Sequence, residues 1–185
     1  MKKNLTLIAA ALACLPLTSC DAGKTGAAGN AATPSPAQSG VVQKVLSTQP
    51  TGEAADIHQI RTQVKPGDEI TVKGRIMGNI KPFVEGRAAF ILGDTGTLKA
   101  CSDIPGDSCD TPWDNCCDSP EDKAAGLATI QIVDDAGRVL KEGLEGTGGL
   151  EKLAHVVVSG KVAEGSSPEL LVINASAISI GKPQG

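Results

Sequence analysis

From residue 69 onward the chain alternates between apolar and charged positions. Ile70, Val72 and Ile76 are interleaved with Glu69, Lys73 and Arg75, the period-two pattern of a strand with one buried face. Short apolar runs follow at 88–92, 127–133, 156–162 and 170–180, so the pattern predicts five strands. Two stretches carry the helical period instead. In 53–64, Ile57, Ile60 and Val64 recur at spacings of three and four, and in 149–154, Leu150 and Leu153 share one side; both predict short helices, the second between the third and fourth strands. The string Val72-Lys73-Gly74-Arg75-Ile76 is echoed by Val158-Ser159-Gly160-Lys161-Val162. Each copy places a glycine inside a strand, where it permits the sharp bend that a small closed barrel needs.

Over residues 65–180 this order resembles the OB fold, an all-β, five-stranded Greek-key barrel, here with one or two short helices. A different antiparallel barrel or sandwich is the rival expectation. The resemblance implies a ligand face on the second and third strands, flanked by the loops after the first and fourth, for oligonucleotides, oligosaccharides or proteins. Those loops fall at 77–87, with Lys81 and Phe83, and at 163–168. Phe90, in phase with Ala88 and Leu92, is expected to fill the barrel, which leaves Phe83 and Trp113 as aromatic platforms beside Lys81.

The start of the chain reads differently. Lys2 and Lys3 precede an apolar run through Leu17 and then small residues, the three parts of a secretory leader over 1–19. That run is too short to span a bilayer of about 30 Å comfortably. Leu17-Thr18-Ser19-Cys20 resembles the bacterial lipobox, which implies acylation of Cys20 and a membrane-anchored, extracytoplasmic protein. In that family Asp21 resembles the signal that retains a lipoprotein at the inner membrane. Residues 20–40 are Ala, Gly, Ser, Thr, Pro, Asn and Gln almost throughout, the composition of a flexible tether. One barrel domain is expected at 41–180, and 181–185 is a tail.

Processing changes the charge. Of 17 basic and 21 acidic side chains, Lys2 and Lys3 leave with the leader, so the remainder is about six charges negative. Such a balance repels phosphate backbones, and with two Phe, one Trp and no Tyr there is little for bases to stack on, which argues against an oligonucleotide ligand. An envelope protein or a glycan fits better.

The chemistry is concentrated in 99–122, between the second and third strands. This loop holds Cys101, Cys109, Cys116 and Cys117, the single Trp113, and Asp103, Asp107, Asp110, Asp114 and Asp118. Its Pro-Trp-Asp-x-Cys-Cys string resembles one carried by uncharacterised bacterial envelope lipoproteins, and that resemblance implies no activity. An even thiol count outside the cytoplasm favours two disulfides, either 101–116 with 109–117 or 101–117 with 109–116, with Trp113 packed beneath them. Each bridge would stabilise the fold by about 2–3 kcal/mol. The alternative is a thiolate site for Zn or Cu, although the spacing is not that of the common paired-cysteine zinc modules. The aspartates suggest Ca²⁺, but their order does not match the usual calcium loop. A redox role for the vicinal pair is opposed by Asp114 and Asp118, which disfavour thiolate.

No nucleophile elbow, phosphate loop, metalloprotease helix or dinucleotide fingerprint is present in the sequence. His58 and His155 are the only imidazoles, and both are expected to face solvent. The expectation is therefore a non-catalytic envelope binding or structural module that needs no cofactor, with a metal-binding lipoprotein as the alternative.

Overall fold

A computed structural model describes residues 39–181; the leader, Cys20 and most of the tether lie outside them. In chain order the elements are helix α1 (Gly40–Ser47), strand β1 (Ala55–Asp56), helix α2 (Ile57–Ile60), β2 (Glu69–Ile76), β3 (Ala89–Gly93), helix α3 (Pro120–Gly126), β4 (Leu127–Gln131), β5 (His155–Val162) and β6 (Leu171–Ile180). The hydrogen-bonded order β2-β3-β4-β6-β5 closes because β5 also pairs with β2, and β1 lies outside the closed circuit along β2. All contacts around the circuit are antiparallel except β4 with β6. The result is a closed five-stranded OB-like barrel, and the five strands fall where the alternation predicts them.

The alternation fills the interior. Val72 and Ile76 from β2, Phe90 and Leu92 from β3, Ile130 from β4, Val158 from β5 and Ile173 from β6 are all buried and belong to one apolar cluster. Phe90 is fully buried, with the Phe83 ring centroid 5.9 Å from its own and tilted by 51°. Truncating Phe90 to alanine is expected to cost about 3–5 kcal/mol, because a rigid strand framework leaves most of the cavity open. A urea unfolding curve with unchanged slope and a lowered midpoint checks this.

Both glycines of the echoed strings sit at close approaches. A Cβ on Gly74 would lie 2.7 Å from the Gly93 carbonyl oxygen, and one on Gly160 would overlap the Asn174 carbonyl. At the second position the β5–β6 register shifts between Ser159 and Gly160, which is the bulge that turns the corner.

The helices depart from expectation. The period in 53–64 yields only α2, because Ala55 and Asp56 are drawn into parallel pairing with Val72 and Lys73. Its apolar residues nonetheless face the core: Ile57 is fully buried, and Ile60 and Val64 pack beside it. In 149–154 there is no helix. A 3-10 turn at Thr147–Gly149 stands in its place, since Gly148, Gly149 and Leu153 all adopt positive φ, which breaks helical continuation. Leu150 is still buried. Two unpredicted helices appear. α1 is capped by Ser39 and buries Val42 and Val45; α3 starts with Pro120 behind the cap Ser119, whose Oγ accepts from the Asp122 amide at 3.0 Å. Among the described residues no helix is long and apolar enough to cross a membrane.

Candidate metal centre in the cysteine loop

The segment between β3 and α3 has its own foundation. Leu98 and Ala100 pack with Met77 in a second apolar cluster, flanked by Leu127 and Leu153. This seats Cys101 at the start of a 3-10 turn (Cys101–Asp103) with its side chain buried. Two backbone bonds then zip the loop shut: Cys101 N–H donates to Asp114 O at 2.7 Å and Ser102 N–H to Pro112 O at 2.9 Å. The barrel holds it from outside. Arg75 of β2 pairs with Asp103 at 2.6 Å, Gly78 N–H donates to Trp113 O at 3.1 Å, and the Lys99 amide donates to the Asp118 carboxylate at 3.0 Å.

This zipping brings three thiols together. The Sγ atoms of Cys101, Cys109 and Cys116 all lie within 4.8 Å of one another, with Cys101 and Cys116 3.5 Å apart. Cys117 Sγ is 3.8 Å from Cys116 Sγ and outside that triad. The expected disulfides are not present: all four cysteines are free, and the separations exceed the S–S bond of about 2.05 Å. Nor does Trp113 pack beneath bridges. Its indole N–H donates to Ile80 O at 2.9 Å, and the Lys152 ammonium stands 4.3 Å over the ring. The small secondary core is built by Met77, Leu98 and Ala100 instead.

The three thiols differ in electrostatics. Burial, then hydrogen bonding with Cys116, pushes the Cys101 thiol up to about 12. It is therefore protonated at neutral pH, and ligation has to expel that proton. Cys109 is shifted down, chiefly by the Thr111 hydroxyl, which lies 3.3 Å from its sulfur. Cys117 is shifted up by its neighbour Cys116.

The donor set fits a soft ion. With metal–sulfur bonds of about 2.3 Å, three thiolates around one ion sit roughly 3.8–4.0 Å apart, a spacing between the 3.5 Å of Cys101 and Cys116 and the 4.8 Å that bounds the triad. Next to Cys116, Asn115 is 1% exposed, and its amide Nδ2 is buried without a hydrogen-bond partner. A buried donor left unpaired one residue from Cys116 is an open hydrogen-bonding position in the same loop as the triad. The aspartates do not converge as a calcium cage would require. Asp103 pairs with Arg75, Asp107 accepts from the Cys109 amide at 2.6 Å, Asp114 from the Asn115 amide and Asp118 from Lys99. Among the described residues the triad is the only group of three or more such side chains whose ligand atoms converge.

The other sequence candidates lie elsewhere. Lys81 is exposed and, with Phe83, lines a surface hollow of about 490 Å³ that also includes Ile80, Val84 and Lys152. Phe83 is a correction: it is only 7% exposed, because an isolated bridge to Phe90 folds its loop onto the barrel, and it serves as core rather than as a stacking platform. His58 does not simply face solvent either. Its Nδ1 lies 2.7 Å from Asp94 Oδ2, and Asp94, itself 1% exposed, also caps α2 through the His58 amide. His155 is half-buried, and burial, then the Arg75 charge, lowers its pKa.

No protein-family model, no curated protein and no solved structure matches the chain. The class of protein is therefore read from the barrel and the loop: an OB-like barrel bearing a three-thiol cluster.

Proposed function

We propose that this chain is an envelope-anchored lipoprotein, held by acylated Cys20, whose OB-like barrel presents a soft-metal site. Cys101, Cys109 and Cys116 are its ligands, and Zn²⁺ or Cu⁺ is the ion. One observation carries the reading: three sulfurs from distant points of one loop converge within 4.8 Å on a scaffold braced by backbone bonds and Arg75. Thiolate-only coordination selects soft ions over Ca²⁺ or Mg²⁺. The unpartnered Asn115 amide supports it from the adjoining position. The leader and lipobox support an extracytoplasmic address, with Asp21 favouring the inner membrane.

A second reading, binding of an envelope protein or glycan without metal, is favoured by the hollow beside Lys81, whose rim exposes Ile80 at 61% and Val84 at 42%.

Elemental analysis and thiol titration on protein isolated from the membrane fraction test the first reading. The expected result is one ion of Zn or Cu per chain, lost to a strong chelator as the titratable thiols rise from one, Cys117, to four. The same loading is expected to change Trp113 emission, since the only Trp is bonded into the metal-binding loop. Protein without metal and with no titratable thiol would overturn the reading in favour of disulfides.

A further inference from the structure

The four thiols form a ladder from the interior to the surface. Cys101 is buried, Cys109 is half-buried, and Cys116 and Cys117 are exposed. The steps along it are 3.5 Å from Cys101 to Cys116 and 3.8 Å from Cys116 to Cys117. A structural zinc site encloses its ion with four ligands. Here the triad offers three, its outermost member is at the surface, and the one remaining thiol stands beside that member.

Cys117 is poorly placed as a resident fourth ligand, because its sulfur falls outside the converging triad and lies 3.8 Å from that of Cys116, its neighbour in the chain. It is well placed for exchange. Resting on the metal reading of the triad, we infer that Cys117 is a transfer ligand, which draws the ion outward and passes it to a soft-donor acceptor such as a thiol-bearing protein. The step is ligand exchange at constant oxidation state. A metal–sulfur bond to Cys117 forms as the bond to buried Cys101 breaks; Cys117 gives up its proton, and the Cys101 thiolate takes one. Acceptor thiols then replace Cys109, Cys116 and Cys117 in turn, each incoming thiol giving up the proton that the departing sulfur takes. The acidic residues of the loop favour an acceptor with a positively charged surface.

The test follows Cu⁺ leaving the singly loaded full chain for excess bathocuproine disulfonate in a stopped-flow instrument. Cys117→Ser and Cys117→Ala are both expected to bind one equivalent with affinity within about threefold of the parent and to release it about tenfold or more slowly. Trp113 emission confirms that each variant is folded and loaded. An unchanged release rate would overturn the inference while leaving the metal site standing. Loss of the bound ion from either variant would overturn it as well, since Cys117 would then be a resident ligand. If the parent chain binds neither Cu⁺ nor Zn²⁺, the metal reading itself fails and this inference goes with it; if it binds Zn²⁺ but no Cu⁺, the inference of Cu⁺ transfer is overturned and the metal site stands.

Discussion

Cys101→Ser is expected to weaken ion binding by about 100-fold or more, with the barrel still folded. Altering groups that merely orient ligands costs about 10- to 100-fold in affinity, and Cys101 is a proposed ligand itself. Serine is a poor substitute: its oxygen is hard and does not ionise near neutrality, and the ion would be left with two thiolates. The structural penalty is smaller. The side chain is nearly isosteric, and the loop is held by the Cys101 and Ser102 amides, which the substitution leaves in place. Burying the hydroxyl at a 1% exposed position costs about 1–2 kcal/mol if it finds no partner. Competition against a chromophoric chelator, with circular dichroism as the control for folding, measures both effects. The disulfide alternative gives the opposite pattern: no ion in either protein, and a stability loss of about 2–3 kcal/mol from the missing bridge. Cys117→Ser provides the internal contrast, since it is expected to slow release and to spare affinity.

The barrel was legible in the sequence because its determinants are local. Alternation such as Ile70, Val72, Ile76 records which face of a strand is buried, and the glycines at 74 and 160 mark places where two backbones approach too closely for a side chain. The helices were harder to read. Ser119-Pro120-Glu121-Asp122 is a readable capping sequence, and Ser39 stands before Val42, Val45 and Leu46 at helical spacing, but both lie beside stretches whose composition suggests loop. The pattern at Leu150 and Leu153 was misleading for a tertiary reason. Positive φ at Gly148, Gly149 and Leu153 turns the chain so that Leu150 reaches the main core and Leu153 the small cluster under the cysteine loop.

The site was half legible. Four thiols in one loop are plain in the sequence, but which three converge is set by non-local bonds, from Cys101 to Asp114, from Ser102 to Pro112, and from Arg75 to Asp103, that no spacing rule encodes. Asn115 carries no signal at all. An Asn in an acidic loop looks solvated until the zipped backbone buries it. The same holds for Asp94 beneath His58 and for Arg61, whose guanidinium is buried against the carbonyls of Ala125 and Pro168. Phe83 was misassigned because a lone aromatic in a connecting loop looks available, whereas a barrel this poor in aromatics uses both of its Phe rings inside.

The same closure that positions the loop makes one backbone position intolerant of change. Gly160→Ala is expected to destabilise the fold by about 3 kcal/mol, at the upper end for overpacking, because the obstacle is a paired backbone and not a movable side chain. The added methyl would overlap the Asn174 carbonyl and lie 2.9 Å from Ile173 Cγ2, on the strand that completes the circuit through β4. To relieve the overlap, β5 and β6 must separate at the bulge, which is where the barrel turns its corner. For a domain of this size that loss lowers the midpoint of thermal unfolding by about 10 °C, a large share of the stability that ordinary domains possess. Gly165→Ala is the matched control. Nothing lies within 4 Å of a Cβ there, so the same change in the unfolded chain is expected to leave stability within about 1 kcal/mol of the parent. Equal midpoints for the two variants would show that the barrel does not close at the Gly160 bulge. With closure lost there, the seating of the thiol loop on Arg75, whose backbone partner on β5 is His155, would have no rigid base.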